Sequence, residues 1–593
     1  MALILVINPR SGRLRAVHSL RAGSDLPKTK VIGIVYAVGI VGAVLIFGGS
    51  ARAQSADARL APFDAAVARV ASLEANPHFR RDVLFGAAHN LVSMADRWTS
   101  IRPLLEQSID AAAASSATRD AGFAGSLAVG KTISRVTLGA SRYSGFTQSE
   151  TSTAWCGASV AVGFNDTGSE IRTLLSTGSV SALGYSISTN KGTAFSYVGA
   201  PMASGDSNQT TMGEPSLACA NSSTFYYASV WSDNARVRSG VAVAKSADGG
   251  KTFAPPTVVI SKNAFAHILD HDWLAIDHVN PANLYVVYLD LDFSGTLCGF
   301  DDFAQPIPRY AVEMIGSSDA GSSWSAQPTV IEQVCANAAD PNVSLAGPQA
   351  AVAPDGEVYV AWEAMGEHGG TLIAREIRVA KSSDSGATFS APVVVAPVAI
   401  TGNGADLQGS IRSSEFPSLA IGIGKTNNGF VYLSWSSAGF TVPDAISTIG
   451  SYGFADIMFS QSSNGGTSWS TPIRVNNNRE GGSVPLSDQF KPAIATDKTG
   501  RIGVCFYDRR RDLNNFLIDR YCASSTNGGG TWRNTKITPT NFPSLVGQDV
   551  LVAPDYMGDY DTLVADSTGQ SSGFLDSYSN NGGGNPNVMT NRF

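Results

Sequence analysis

Glu214, Asp270, Asp272, Glu415, Asp559 and Tyr560 are the residues of this chain whose types and spacing could do chemistry. Each lies in a short segment of similar pattern: Gly213-Glu214-Pro215-Ser216-Leu217, Asp270-His271-Asp272-Trp273-Leu274, Glu415-Phe416-Pro417-Ser418-Leu419 and Gly558-Asp559-Tyr560-Asp561-Thr562. Gly347-Pro348-Gln349-Ala350 and Phe490-Lys491-Pro492-Ala493-Ile494 align with them and add Lys491, while Arg412 stands just before Glu415. Brought to one place, several carboxyls beside a phenol and two cations can exchange protons with a bound molecule and hold its polar groups. The same acids can instead cap strand starts and bind loop amides. Only 15% of the 593 residues are charged, so acids recurring at aligned positions favour a shared funnel.

The elements that must position these groups repeat along the chain. Ser382-Ser383-Asp384-Ser385-Gly386-Ala387-Thr388-Phe389 has the pattern Ser, any, Asp or Asn, any, Gly, two more, aromatic. It recurs as Ser188/Asn190/Gly192/Phe195, Ser246/Asp248/Gly250/Phe253, Ser317/Asp319/Gly321/Trp324, Ser462/Asn464/Gly466/Trp469 and Ser525/Asn527/Gly529/Trp532. A short Asp or Asn side chain bonds amides inside a turn, and Gly supplies a positive φ at no steric cost. Each copy therefore predicts a hairpin turn pinned by its aromatic, and repeated hairpins predict an array or a β-propeller. An apolar second strand ending in an aromatic precedes each turn, as in Tyr226–Trp231, Leu284–Tyr288 and Val358–Trp362. In a propeller the first strand of each unit lines the central channel, which is where the aligned acids would meet.

These eight-residue turns resemble the Asp-box, or BNR, repeat of the sialidase superfamily. The resemblance covers residues 131–593 and implies an all-β propeller with the boxes at the blade edges, far from any site. There are six boxed units and a seventh, 562–593, that is one strand short. Segment 134–140 alternates like a strand, and joining it to the C-terminal strand would close the ring and leave no open sheet edge. This predicts seven blades; a six-bladed ring, the number in the family's sialidases, would need one unit to lie outside it.

A sialidase-like site implies a tyrosine nucleophile with a carboxylate beside it, an acid/base carboxyl, and arginines gripping a substrate carboxylate. On this chain Tyr560 would be the nucleophile, with Glu214 or Glu415 as partner and Asp272 as acid/base; Arg412, Lys491 and Asp559 would bind substrate. Arg479 and Arg520 are further arginine candidates. The family's Arg-Ile-Pro motif is missing, and Pro306-Ile307-Pro308-Arg309 is not that motif. The implied activity is an exo-acting glycoside hydrolase of the sialidase type, with a glycan or glycoconjugate as partner. A non-catalytic propeller binding glycan or protein is the competing reading, and a surface scaffold with a partner-docking leader is a third.

Residues 1–53 have the order of a secretory signal: Arg10, Arg13, Arg15, Arg21, Lys28 and Lys30, then an uncharged stretch at 31–47, then Ala51-Arg52-Ala53 before Gln54. An uncleaved membrane anchor is the alternative, and only then would the chain touch a membrane. Either way the propeller is secreted, periplasmic or on the cell surface, a compartment that suits its six cysteines. Within the repeats Cys505 and Cys522 fall on neighbouring strands, Cys298 and Cys335 flank another unit, and Cys156 and Cys219 remain. Residues 54–130 form a helical extension and linker. Apolar residues recur at helical spacing in Phe63, Val67, Val70 and Leu73 and in Leu84, Ala88, Leu91, Met94 and Trp98. These predict two or three helices, separated at Pro77 and interrupted at Pro103, packed on the propeller's side.

A formal charge of −7 argues against nucleic acid as a partner, and a monomer is expected. No cofactor is called for: there is no C-x-x-C, no phosphate-binding glycine loop, no G-x-S-x-G and no H-E-x-x-H. In the polar stretch 507–515, Asp508, Asp512, Asn514 and Asn515 offer oxygens for a structural calcium. A self-satisfied salt-bridged turn with Arg509, Arg510 and Arg511 is the favoured reading, on the face opposite the aligned acids.

Overall fold

The computed structural model describes the strands Ile4–Ile7 and Leu14–Val17 and residues 56–593. Omitted from the latter range are 82–83, 85, 115–132, 136–146, 177–178, 202–207, 337–342, 369–370, 402–405, 439–453, 479–486, 545–548, 550 and 581–585. The chain forms two compact units, 1–55 and 56–593. In the first, Ile4–Ile7 and Leu14–Val17 pair antiparallel. The apolar stretch 31–47 and the cleavage site before Gln54 lie outside the described residues, as does Arg479. Among the described residues no helix is long and apolar enough to cross a membrane.

The second unit is a seven-bladed β-propeller; six blades are four-stranded antiparallel sheets, and the second is a six-stranded sheet that also takes in the short strands Val180–Ser181 and Gln209–Thr211. The inner strands are Gln148–Cys156, Ser216–Cys219, His267–Ile276, Ser344–Val352, Ser418–Ile421, Gln489–Thr496 and Thr562–Ala565. Each lies beside the next, and the last lies beside the first, so the ring is closed. Side-chain oxygens stitch it: Leu217 N–H donates to Ser152 Oγ (2.9 Å), Leu274 N–H to Ser216 Oγ (2.8 Å), Leu419 N–H to Gln349 Oε1 (3.1 Å) and Ile494 N–H to Ser418 Oγ (3.1 Å). The seventh blade takes its outermost strand from the N-terminal side. Ile133–Arg135 pairs with Asn591–Met589 of the C-terminal strand Asn587–Arg592. The predicted closure is therefore present over Ile133–Arg135, while 136–140 lie outside the described residues.

The six repeated turns share one hydrogen-bond pattern. In the copy at 382–389, Ser382 Oγ donates to Asp384 and accepts the Gly386 N–H, and Asp384 accepts the Thr388 N–H. Gly386 has φ +83°, the left-handed conformation that glycine adopts without a Cβ penalty. The aromatic then leaves the turn between blades: Phe253 stands edge-on to Tyr185 and Tyr227 at 5.2 and 5.8 Å. The core is accordingly a series of apolar layers between adjacent blades, such as Tyr226, Val243, Leu274, Val286 and Ile315. Cys505 and Cys522, directly opposed in the sixth blade, are bonded; Cys298–Cys335 ties the third blade's loop to its outer strand; Cys156–Cys219 links the first two inner strands.

Two helices precede the ring, α1 (Ala56–Glu74) and α2 (Gly86–Ala114). Helix α2 runs through Pro103 instead of breaking there. Proline removes the bond to the carbonyl of Thr99, and both residues lie on the exposed face, where water replaces it. A third helix, α3 (Thr167–Ser176), is an insertion between the second and third strands of the first blade. The leader does not pack on the propeller's flank. One apolar group joins Val70, Leu73, Leu84, Ala88 and Val92 to Leu291, Phe293, Tyr310 and Leu345; another joins Leu60, Phe63, Met94 and Trp98 to Leu174, Val180 and Leu551. The helices thus bridge loops of the third and fourth blades to those of the first and seventh.

Candidate functional site

Where six of the seven inner strands begin, the backbone makes the same excursion. Glu150, Glu214, His271 and Lys491 take φ of 50–58°, and Gly347 and Gly558 occupy the matching positions with φ +59° and +84°. The pairing skips here, between Ser149 and Ser152, Asp270 and Trp273, Ala346 and Gln349, and Phe490 and Ala493. A bulge of this kind re-aims one side chain out of the strand's alternation, at a cost of roughly 1–2 kcal/mol for a non-glycine residue. The structural equivalence therefore runs through Glu150, Glu214, His271 and Lys491, with Asp272 one residue and Tyr560 two residues beyond it.

Glu150 and Tyr556, which the strand alignment did not single out, hold the centre of the group. Glu150 accepts from Asn165 Nδ2 (2.6 Å) and from the Asp559 N–H (3.0 Å), and also pairs with the Tyr556 hydroxyl. Asn165 Nδ2 also meets the Tyr556 oxygen at 2.8 Å. Arg412 Nη2 lies 2.8 Å from Asp559 Oδ2, with its guanidinium 6.0 Å from the Tyr556 ring centre. Tyr560 donates to the Pro215 carbonyl at 3.2 Å, and its ring meets those of His271 (5.4 Å) and Trp273 (5.7 Å) edge-on. Lys491 Nζ donates to the Gly558 carbonyl. His271 Nδ1 stands 4.0 Å from Glu214 Oε2.

Apart from the half-buried Trp273 these groups are buried; Glu150, Glu214 and Asp272 are 0% exposed. Burial, then the charge of Asp559, pushes the Glu150 carboxyl up to about 7. Burial first and neighbouring carboxylates second hold Glu214, Asp270 and Asp272 well above the usual range. Burial drives His271 down to about 4 and lowers Lys491 as well. The Tyr560 phenol is held well above 10 by burial and by the charges of Glu214, Glu150 and Asp272. The arrangement gathers carboxyls whose protons are held more tightly than usual, an imidazole that burial keeps neutral at pH 7 and a guanidinium within one enclosure.

Of the residues singled out from the sequence, Glu214, Asp272, Tyr560, Arg412, Lys491 and Asp559 come together here. Glu415 is engaged apart from them: its carboxylate accepts from Thr401 and from Arg375 Nη1 (2.5 Å), which also reaches Glu363. Arg520 is committed to Asp576 (2.6 Å) and Asp561 (3.3 Å). Among the described residues Arg412 is the arginine that reaches the group.

The polar stretch after the sixth blade's second strand is a salt-bridged turn. Asp508 pairs with Arg510, Asp512 accepts the N–H groups of Asn514, Phe516 and Leu517, and Asn515 Nδ2 donates to Asp488. It does not lie opposite the aligned acids. Asp508 sits across from Gln489, at the start of the inner strand, because the exit of one antiparallel strand adjoins the beginning of its partner.

No family model matches this sequence, and no curated protein does. Among solved structures, the chain is similar to an α-L-arabinanase of Penicillium chrysogenum complexed with arabinobiose, at 8% identity and TM-score 0.39, covering 76% of this chain and 96% of that one. It is similar to the GH93 α-L-arabinofuranosidase of Fusarium graminearum at 12% identity and TM-score 0.37, covering 64% and 92%. It is likewise similar to the intramolecular trans-sialidase of Ruminococcus gnavus at 11% identity and TM-score 0.35, covering 64% and 93%.

Proposed function

We propose that this is an exported, exo-acting glycoside hydrolase of sialidase-like type whose site is the axial group. The observation that carries this reading is the gathering of four buried carboxyls, Glu150, Glu214, Asp270 and Asp272, all held above their usual range beside Arg412. Perturbed acids of this kind concentrate at catalytic sites. A carboxyl whose proton burial holds more tightly than usual, such as Asp272, can protonate a leaving glycosidic oxygen. Glu150, near 7, can take up or release a proton in the same range. Tyr560 is the proposed nucleophile with Glu214 beside it, and Tyr556 with Glu150 is a second phenol–carboxyl pair of the same composition. Arg412, Lys491 and Asp559 would orient the sugar.

A second reading, a non-catalytic propeller that binds glycan or protein, is favoured by one observation. The Tyr560 hydroxyl is spent on a carbonyl and held well above 10, whereas a nucleophilic phenol needs its proton drawn away. Assays on a panel of aryl glycosides, an α-sialoside included, separate the two. Turnover lost in Asp272→Asn and in a tyrosine variant supports hydrolysis. Glycan binding with no turnover by any form supports the second reading.

A further inference from the structure

Helix α2 brings its N-terminal turn to the axial group. The Ala88 N–H, in that turn, donates to the Asp270 carboxylate, so an acid of the propeller caps a helix of the leader. Just before the helix, the Leu84 carbonyl accepts from Arg412 Nη1 at 3.3 Å. Main-chain groups of the leader therefore occupy one donor of the guanidinium and one face of an axial carboxyl. Polar contacts at the rim hold the helix there. Asn90 Oδ1 accepts the Ala553 N–H (3.0 Å), Arg97 Nη2 donates to the Val552 carbonyl (2.6 Å) and His89 Nε2 lies 3.4 Å from Asp555. Val552–Asp555 lead directly into Tyr556 and Asp559.

We propose that α1 and α2 are a built-in occupant of the axial mouth, holding the place of a ligand, and that they must move aside before the axial carboxyls meet substrate. The inference rests on the axial group being the functional site. Three features of the interface fit a displaceable element. Its polar contacts with the ring are isolated pairs between partly buried groups: the hydrogen bonds of Asn76, Asn90 and Arg97 and the pairs His89–Asp555 and His78–Asp301. A small cavity of about 30 Å³ remains beneath it, lined by Phe63, Leu91, Met94, Asn165 and Tyr556. All three disulfides lie within the propeller, so none ties the helices to it. The contacts made with Asp270 and Arg412 are a main-chain N–H donor and a carbonyl acceptor, the same pair of functions that a sugar hydroxyl combines in one atom.

The test uses the full chain and two variants that loosen the rim and leave every axial side chain unsubstituted: Asn90→Ala with Arg97→Ala, and Met94→Asp, which places a charge in the apolar contact with Leu174 and Leu551. Carbodiimide-driven amidation of Glu214, Asp270 and Asp272 is followed by mass spectrometry, with tryptic cleavage after Arg80 and Arg81 reporting helix release. The expected result is slow labelling in the parent and a rise of about tenfold in either variant, with amide exchange of the outer blade strands unchanged. Three outcomes overturn the proposal: cleavage rises while the acids stay protected; labelling rises only as all seven blades lose protection; or neither variant releases the helices. If the acids become labelled but no aryl glycoside is turned over, the hydrolase reading fails and the occluding role stands.

Discussion

The Tyr560 hydroxyl donates to the carbonyl oxygen of Pro215 at 3.2 Å, joining the seventh blade to the second across the channel. Tyr560→Phe deletes this one bond and leaves Pro215 with an unmet acceptor, a loss of about 1–3 kcal/mol by urea unfolding. If Tyr560 is the nucleophile, turnover also falls by about a hundredfold or more. Loss of stability with turnover intact assigns it to holding the channel walls together, and Tyr556→Phe then becomes the variant to assay.

Arg412 and Asp559 form a buried ion pair, 7% and 1% exposed at their side chains. Removing one partner strands the other charge, so Arg412→Ala is expected to cost about 3–5 kcal/mol. Arg412→Met with Asp559→Asn removes both charges and should recover part of that loss in the same unfolding experiment. A double variant no more stable than Arg412→Ala would show that the pair contributes little.

Glu150 links stability to pH. Its folded value, about 7, lies above the ordinary glutamate value of about 4.3, so the native state holds a proton that the unfolded chain releases. Its contribution is full below about pH 4.3 and is lost as pH rises to about 7. His271, lowered to about 4, has the opposite slope between about 4 and 6.5, so the difference between variants is the informative quantity. Glu150→Gln should gain stability relative to the parent as pH goes from about 4.5 to 7. A gap between their thermal midpoints that stays constant over that range would refute this.

Ser382→Ala tests the repeated turn. It removes both the donor to Asp384 and the acceptor of the Gly386 N–H from a side chain 1% exposed, and should cost about 1–2 kcal/mol. The corresponding Ser246→Ala should behave alike by thermal melting, since its bonds to Asp248 and Gly250 are the same.

Deletion of 580–593 removes the strand Asn587–Arg592, which stands between Phe574–Asn580 and Ile133–Arg135. The seventh blade then has no partner for its N-terminal strand. The parent's single thermal transition should be lost, and retention of it would show that the ring holds without this pairing.

What the sequence made legible was whatever short-range chemistry dictates. Ser, Asp or Asn, and Gly at fixed offsets force one turn, so the six hairpins, the blade order and the Cys505–Cys522 pair could be read directly. Glu150 was hidden for a physical reason. Its strand, Gln148–Cys156, is mostly polar yet buried along its whole length, because neighbours around the channel supply its hydrogen bonds. Such a strand lacks the apolar alternation by which the others are found. Tyr556 sits in a turn before its strand, where no alignment of strands reaches it. The leader's apolar face was legible in Val70, Leu73, Ala88 and Met94, but periodicity shows that a face is covered, not what covers it.

Ring closure by Ile133–Arg135 imposes a timetable on synthesis. That strand leaves the ribosome before the first inner strand and must wait for Met589–Asn591, which follow all seven inner strands in the chain. The helices, made earlier still, contact both ends of the order, Leu174 early and Leu551 late. Until Asn587–Arg592 is made, the nascent chain therefore carries an apolar helical pair with no completed surface to receive it.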